Sequence, residues 1–447
     1  MSKTNLFFLY QKFMRITLLL FLVLHANTSY AQWLKFVGSV VDIETNQPIP
    51  YVNISVFNMP VGTCTNSYGD FMLNLPDSLA EGRLDISCIG YKSRSLPIDS
   101  LIGNDTLLFL LEPKAYQIED VVVVPGKNDV HSIIKNVISK INNNYSRRKY
   151  FLEAFFRHRV YNIKENNRTV RLSEAAVSIH QNHYSDDRKK VQINEIRNSK
   201  NYAELSTSVG KKLLYNALGG NQNPIYRSLK VERLTQKRFL RKLSKNEHYS
   251  VSLKDVSFFD DALVYVVEFK QESWEFLFKK YYTTHTYRKY RYYVNADDFA
   301  ILKVEDISIS YNPQSKPFMK NDSVAIHDFI QYRKFDKKYY PTYVHFYGMI
   351  PDMVAKNDTA NFYMHEADLM VNEIARRRRD YDRIKSRNIM NKNTTLWDLE
   401  YEYNPEFWEN YNLLLDHPLN PEYKEDLEFE EPLDKQFKQE THVKSRN

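Results

Sequence analysis

Glycine is scarce in this chain: 11 of 447 residues, about 2.5% where ~7% is usual. That excludes collagen-like and glycine-rich low-complexity architectures. Cysteine is scarcer still. Cys64 and Cys88 stand alone, too few for a disulfide scaffold or a four-cysteine zinc site. After the N-terminal segment no apolar run approaches the ~20 residues that a membrane helix needs. A dominant charge is missing too: 62 basic and 55 acidic residues leave +7, which gives no case for a nucleic-acid partner. What the chain does have is aromatic surface, with 33 Tyr and 26 Phe. These residues favour half-buried sheets, so the expected fold class is mainly β.

The first residues read as an export signal. Lys3, Lys12 and Arg15 precede the apolar run Ile16 to Leu24, interrupted only by Thr17, and then Ser29-Tyr30-Ala31-Gln32. A basic start, a short apolar core and small residues at −3 and −1 predict a signal peptide over 1–31, cleaved between Ala31 and Gln32. Loss of those three basic residues leaves 59 basic against 55 acidic side chains, a net of +4. The mature chain is therefore expected in the periplasm or associated with the outer membrane, with no transmembrane helix.

Composition shifts near residue 126. Seven glycines (38, 62, 69, 82, 90, 103 and 126) fall between Gly38 and Gly126. Tyr51 to Phe57 alternates, with Val52, Ile54 and Val56 on one face, and Phe71, Leu73 and Leu75 follow at period two. Turn chemistry at Asn46-Gln47-Pro48 and Asn66-Ser67-Tyr68-Gly69-Asp70 punctuates them. Short strands at this spacing predict a seven-stranded antiparallel β-sandwich over 33–125.

These residues carry a resemblance. Gly38-Ser39-Val40-Val41-Asp42, Gln47-Pro48-Ile49-Pro50-Tyr51-Val52-Asn53-Ile54, Gly62-Thr63, Thr65-Asn66, Gly69-Asp70-Phe71 and Ile89-Gly90-Tyr91 resemble the carboxypeptidase-regulatory-like domain. The resemblance implies a small transthyretin-like sandwich, non-catalytic, common in exported Bacteroidetes proteins including TonB-dependent receptors. It covers about a fifth of the chain. Asn53 departs from the family pattern, which has a small apolar residue there.

The larger region over 127–392 opens with Ile134, Val137, Ile138 and Ile141 at spacings of 3, 1 and 3, an amphipathic helix within His131 to Tyr145. Aromatic and β-branched runs follow: Tyr150 to Tyr161, Val170 to Ile179, Tyr249 to Phe258, Leu263 to Phe269, Tyr281 to Val294, Tyr339 to Tyr347 and Asn361 to Glu373. Asp260-Asp261 and Asn295 to Asp298 read as hairpin turns, and Lys211 to Ala217 as a short helix ended by Gly219-Gly220. Between Leu302 and Tyr311 the alternation changes phase, which predicts a bulge near Glu305-Asp306. One helix and a meander of strands suggest an α+β region with a curved antiparallel sheet; by analogy of parts, a half-open barrel like the periplasmic lipoprotein carriers. This region also resembles the uncharacterised remainder of Bacteroidetes proteins that carry the same N-terminal module. The Arg376 to Arg379 run reads as an exposed helix surface, and the stretch 393–447 as an extended, acidic, solvated segment.

Catalytic signatures are not found. No histidine has a glutamate three positions later, as a metallocarboxypeptidase zinc site needs, and His365-Glu366 has Leu369 where a second zinc ligand should stand. His180 and His183 would lie on opposite faces of a strand. No Gly-x-Ser-x-Gly elbow and no phosphate-cradling loop occur. Cys64 and Cys88 are either buried thiols or, after export, a disulfide. Trp33, Trp274, Trp397 and Trp408 read as packing residues. The expectation is therefore a non-enzyme with no catalytic, cofactor or metal residues: a cell-envelope protein whose sandwich docks and whose β-rich region binds an envelope protein, glycan or lipid-like ligand. The alternatives are an outer-membrane barrel or transport accessory related to TonB-dependent systems, and a hydrolase with an unrecognised carboxylate site.

Overall fold

The computed structural model describes residues 14, 33–114, 127–162, 165, 167–202, 223–271, 275–277, 284–311, 323–352, 361–377, 384–385, 388–392, 394, 396–399, 401–415 and 422–440. The cleavage site Ala31–Gln32, Val121 to Val124, the helix expected at Lys211 to Ala217, Trp274 and Arg378-Arg379 lie outside them.

Seven strands build the first body: β1 Trp33–Asp42, β2 Asn53–Val56, β3 Gly62–Cys64, β4 Asp70–Pro76, β5 Arg83–Ser87, β6 Arg94–Pro97 and β7 Leu107–Leu111. They form two sheets, β4-β1-β7 and β3-β2-β5-β6. The alternating residues Val40, Ile54, Phe71, Leu73, Leu84, Ile86 and Phe109 fill the space between. The expected sandwich is present, with one difference. β1 and β7 run parallel, because β7 arrives beside β1 after a crossover instead of through a hairpin.

The second body starts with α1 Lys127–Asn144, β8 Tyr150–Asn162, β9 Arg168–Gln181 and β10 Lys190–Asn198. Then come α2 Pro224–Leu229, a 3-10 turn Lys230–Thr235 and α3 Lys237–Leu243. Strands β11 Tyr249–Phe259, β12 Ala262–Gln271, β13 Glu275–Leu277, β14 Thr284–Asn295, β15 Ile301–Tyr311, β16 Ser323–Phe335, β17 Lys338–Asp352 and β18 Asn361–Ala375 follow. They make one antiparallel sheet in the order β10-β9-β8-β18-β17-β16-β15-β14-β12-β11, with β13 also on β14. Its edges β10 and β11 do not meet, so the sheet is not a closed barrel.

Each face of this sheet has its own cover. Val130, Ile133, Ile134, Val137 and Ile141 of α1 pack with Ile225, Leu229 and Leu240 against Phe156, Val177, Tyr292 and Val344. Each such burial is worth about 1.5–3 kcal/mol. Call this the helix face. The sandwich lies on the other face, where Cys64 and Tyr51 meet Phe155, Phe329, Tyr343 and Met370. Tyr51 has φ 58, a conformation rare for a bulky residue, and its ring centre lies 4.8 Å from that of Phe329.

The docking of the two bodies is built from main chain as well as side chains. Val61 bridges Glu373, Ile374 N donates to Pro60 O at 3.0 Å and Gly90 N to Phe258 O at 2.8 Å. Thr63 Oγ1 and Cys64 N donate to Met370 Sδ at 3.2 and 3.3 Å.

The described part of the C-terminal stretch folds back instead of extending into solvent. It forms α4 Pro405–Asn410, α5 Glu422–Glu428 and α6 Leu433–Glu440. Leu427, Leu433 and Phe437 bury against Leu172, apolar anchors set among the acids, while Glu431 pairs with Lys200 at 2.6 Å. Residues 411–415 act as a strap. Asn412 accepts from Asn74 N at 2.5 Å and donates to Asn74 O at 3.2 Å. Asn66 Nδ2 donates to Leu415 O at 3.0 Å and Arg157 to Leu414 O at 2.8 Å.

Candidate functional site

Docking leaves a cleft of about 1140 Å³ between the bodies. One wall is the outward side of the β3-β2-β5-β6 sheet. Ile54 and Ile86 face the sandwich core, so their neighbours Asn53, Ser55, Asp85 and Ser87 face out and line the cleft. Ser55 and Ser95 flank Asp85 in register, which gives a row of hydroxyls around one carboxylate. The opposite wall comes from hairpin ends of the large sheet: Phe259 to Asp261 at the end of β11 and its turn, Arg333 to Asp336 at the end of β16 and its turn, and Ile374, Arg376 and Arg377 at the end of β18 and just beyond.

Most charges here are matched. Lys92 pairs with Glu112, Lys114 with Asp261 at 3.3 Å, Lys334 with Asp298 at 3.0 Å, and Arg376 with Asp336. Arg333 is not: its Nε is buried with no hydrogen-bond partner among the described residues, and its Nη2 donates to Met59 O at 3.2 Å. Burial pulls the guanidinium below its usual range, which the Asp85 charge offsets only in part. Asp260, at φ 53 in its turn, accepts from Ser93 Oγ at 2.5 Å. It is open to the cleft yet ringed by protein. That loss of solvent, followed by the negative Asp85 and Asp261, holds it above the usual carboxylate range.

A second polar cluster lies under the sandwich. His345, Glu366 and Asp368 can each offer one metal-ligating atom within 4.8 Å of the others. As arranged they form an ion-pair network. Asp368 Oδ1 lies 2.7 Å from His345 Nδ1 and accepts from Tyr343 at 2.7 Å. Glu366 is held by Arg159 at 3.0 Å and by Tyr161. The His365-Glu366 pair in the sequence is thus divided by the strand: Glu366 joins this network, whereas His365 points to the helix face.

There, His158 Nε2 and His365 Nδ1 lie 3.1 Å apart. Burial, followed by Arg171 for His158 and by His158 and then Arg171 for His365, holds both imidazoles neutral, well below their usual range. Asp328, on the same face, is pushed to about 7 by burial and by Asp306 opposite it. Burial also pushes Glu153 to about 7. Glu153 accepts from Ser178 Oγ at 2.7 Å on the sandwich face, so these two carboxyl groups are on opposite sides of the sheet and cannot act as a pair.

Residues singled out in the sequence fall in several places. Cys64 and Cys88 are free thiols, not a disulfide. Cys64 on β3 pairs with Asn53 of β2, which pairs on its other side with Ser87. Two strand spacings, about 9.5 Å, therefore separate the cysteine strands, beyond the ~7 Å reach of a bridge. Asp260-Asp261 and Asp297-Asp298 do sit in hairpin turns. Arg376 and Arg377 are not helical; they follow β18 directly and line the cleft. Trp397 stacks beneath Arg171 at 3.5 Å and Trp408 is buried against Phe155, while Trp33 is half-exposed. His180 ends β9 and His183 lies in the following turn. Of the cleft residues the sequence flagged Asn53, as a departure from the domain pattern, the two turn aspartates, and Arg376 and Arg377, as part of an exposed basic run.

The model of the CarboxypepD_reg-like domain matches residues 36–123, which is the sandwich. No curated protein matches the chain. Among solved structures the chain is similar to a putative outer membrane lipoprotein-sorting protein domain from Vibrio parahaemolyticus, at 8% identity and TM-score 0.21, covering 55% of this chain and 92% of that one. It is similar to a LolA superfamily protein from Nitrosomonas europaea at 12% identity and TM-score 0.20, covering 60% and 99%. Lipovitellin matches at 10% identity and TM-score 0.23, covering 58% of this chain and 28% of that one. At such scores these likenesses carry no functional argument.

Proposed function

We propose that the protein is an exported, non-catalytic binding protein of a Bacteroidetes-type cell envelope, and that it holds a polar ligand in the cleft between sandwich and sheet. The carrying observation is that the cleft is preformed. Its walls belong to two bodies locked together by the backbone bonds of Pro60, Gly90 and Ile374, and concave sites at domain junctions are where small ligands bind. The apolar part of the helix face is already covered by α1, α2 and α3, which favours a polar occupant over a lipid-like one. The non-catalytic reading is supported by the cysteines, whose thiols burial pushes to about 12 and about 11, and by the separation of Glu153 from Asp328.

The test is blockage. Protein purified without detergent is extracted and the extract examined by mass spectrometry, alongside Ser87→Trp, which fills the cleft from its hydroxyl wall. A retained compound lost in Ser87→Trp at unchanged melting temperature supports the reading. A compound that Ser87→Trp still retains, or hydrolysis of peptide or glycan panels abolished by one carboxylate substitution, overturns it.

A further inference from the structure

The cleft holds surplus charge of both signs. Once Lys92, Lys114, Lys334 and Arg376 are assigned to their carboxylates, Arg94, Arg333 and Arg377 remain on one side of the account, and Asp85 and Asp260 on the other. Arg94 is turned to the main chain, donating to Leu110 O at 3.0 Å. Arg333, near the end of β16, and Arg377, just past the end of β18, stand at the same edge of the large-sheet wall with β17 between their strands. Asp85 belongs to the sandwich wall and Asp260 to the β11–β12 turn that closes on it through Ser93.

We propose that the cleft takes a zwitterionic ligand of amino-acid or short-peptide type, its carboxylate on Arg333 and Arg377 and its ammonium group between Asp85 and Asp260. This rests on the reading of the cleft as the binding site. A guanidinium presents parallel N–H donors that match a carboxylate, and the Arg333 Nε is a buried donor with no partner among the described residues. An anion there restores what burial has taken from that cation. On the other side, an ammonium group offers three donors to two carboxylates that otherwise repel each other. A simple anion would satisfy Arg333 but face Asp85, and a simple cation the reverse; only a ligand carrying both charges meets both walls. Between the poles, Asn53, Ser55, Ser87 and Ser95 supply neutral hydrogen-bonding groups along β2, β5 and β6, suited to peptide amides.

Calorimetric titration of the full chain with four probes tests this: triglycine, N-acetyl-triglycine, triglycine amide and a neutral disaccharide. Triglycine is expected to bind at least about tenfold more tightly than either blocked form, the scale of one charge-assisted contact. Arg377→Gln and Arg333→Gln should erase the preference over triglycine amide, and Asp85→Asn the preference over N-acetyl-triglycine. Arg377 is exposed, so its variant keeps the test sound should Arg333→Gln unfold. Equal binding of a blocked peptide or of the disaccharide, lost in Ser87→Trp, overturns the zwitterion while leaving the cleft as a ligand site. Failure of every probe to bind overturns both for ligands of this size.

Discussion

His345 and Asp368 face each other across β17 and β18 with 2.7 Å between Nδ1 and Oδ1, buried beneath Tyr51 of the sandwich. Burial opposes the charge on the imidazole, but the Asp368 carboxylate outweighs it and holds His345 above its usual range. Burial likewise opposes the carboxylate, and His345 outweighs it in turn, so Asp368 is held below its usual range. The sandwich is therefore seated on an imidazolium–carboxylate pair.

That pair sets a pH window. A raised imidazole contributes fully below its unfolded value of 6.5 and loses the contribution as pH rises through the folded value. A lowered carboxylate contributes above 3.8 and loses it as pH falls. His345→Gln should cost about 3 kcal/mol near pH 5.5, and the gap from wild type should narrow by pH 9. Urea unfolding at both pH values measures it. A gap that does not change with pH would refute the charged pair.

His158 and His365 should act in the opposite sense. Both are held neutral in the folded chain, while the unfolded chain takes up protons below about pH 6.5. Acidification should remove about 1.4 kcal/mol per pH unit for each histidine. His365→Gln is expected to flatten the stability profile between pH 6 and pH 4.5 by about one proton.

Glu174 is the centre of a cross-strand triad. It pairs in register with Arg157 of β8 and Arg197 of β10, accepting from their Nε atoms at 2.5 and 2.6 Å. Glu174→Ala strands two guanidinium groups in a buried layer and should cost about 3–5 kcal/mol. A loss under about 1 kcal/mol in denaturant titration would show that the arginines find other partners.

The thiols should be silent. Cys64 is buried and Cys88 partly so, with ionisation pushed far above neutral pH, so neither offers thiolate. An aromatic disulfide reagent at pH 7.5 should titrate no thiol in the folded protein and two in denaturant. Diamide should not join them.

Much of the fold is legible because alternation and turn residues coincide. The strands of the sandwich, the helix at Ile134 to Ile141 and the hairpins at Asp260 and Asp297 all stand where period and turn chemistry put them. The phase change between Leu302 and Tyr311 is instructive because its cause is not the bulge expected at Glu305-Asp306. The register shifts at Leu302, and again opposite Ser308 and Ile309. From Leu302 on, Val304, Asp306 and Ser308 keep to the helix face, and Ile307 and Ile309 take the other. The pattern flips because the helix face turns from apolar to polar, where Asp306 binds Arg288 at 2.7 Å.

The cleft is not legible in the same way. Asp85, Asp260, Arg333 and Arg377 are contributed by four separate elements of two bodies, and no spacing links them. Asp260 reads only as a turn residue and Arg377 only as part of an exposed basic run; Asn53 gives the more direct hint, a polar side chain where the domain pattern has an apolar one, pointing away from the sandwich core and into the cleft. The acidic C-terminal stretch misleads for a related reason. Its charge is plain, but the anchors Leu427, Leu433 and Phe437 are too sparse to read as a packed face without Leu172 beside them.

Asn412 also bears on the order of assembly. Its amide doubles as a piece of strand beside Asn74, and its neighbours hold Asn66 and Arg157. Residues 411–415 leave the ribosome, and cross any membrane N-terminus first, after everything they fasten. Both bodies, and the backbone bonds of Pro60, Gly90 and Ile374 that join them, can thus form before late-arriving chain closes the seam. Asn412→Ala, which forfeits two hydrogen bonds worth about 1 kcal/mol each, should leave each body intact while exposing residues 411–415 to protease.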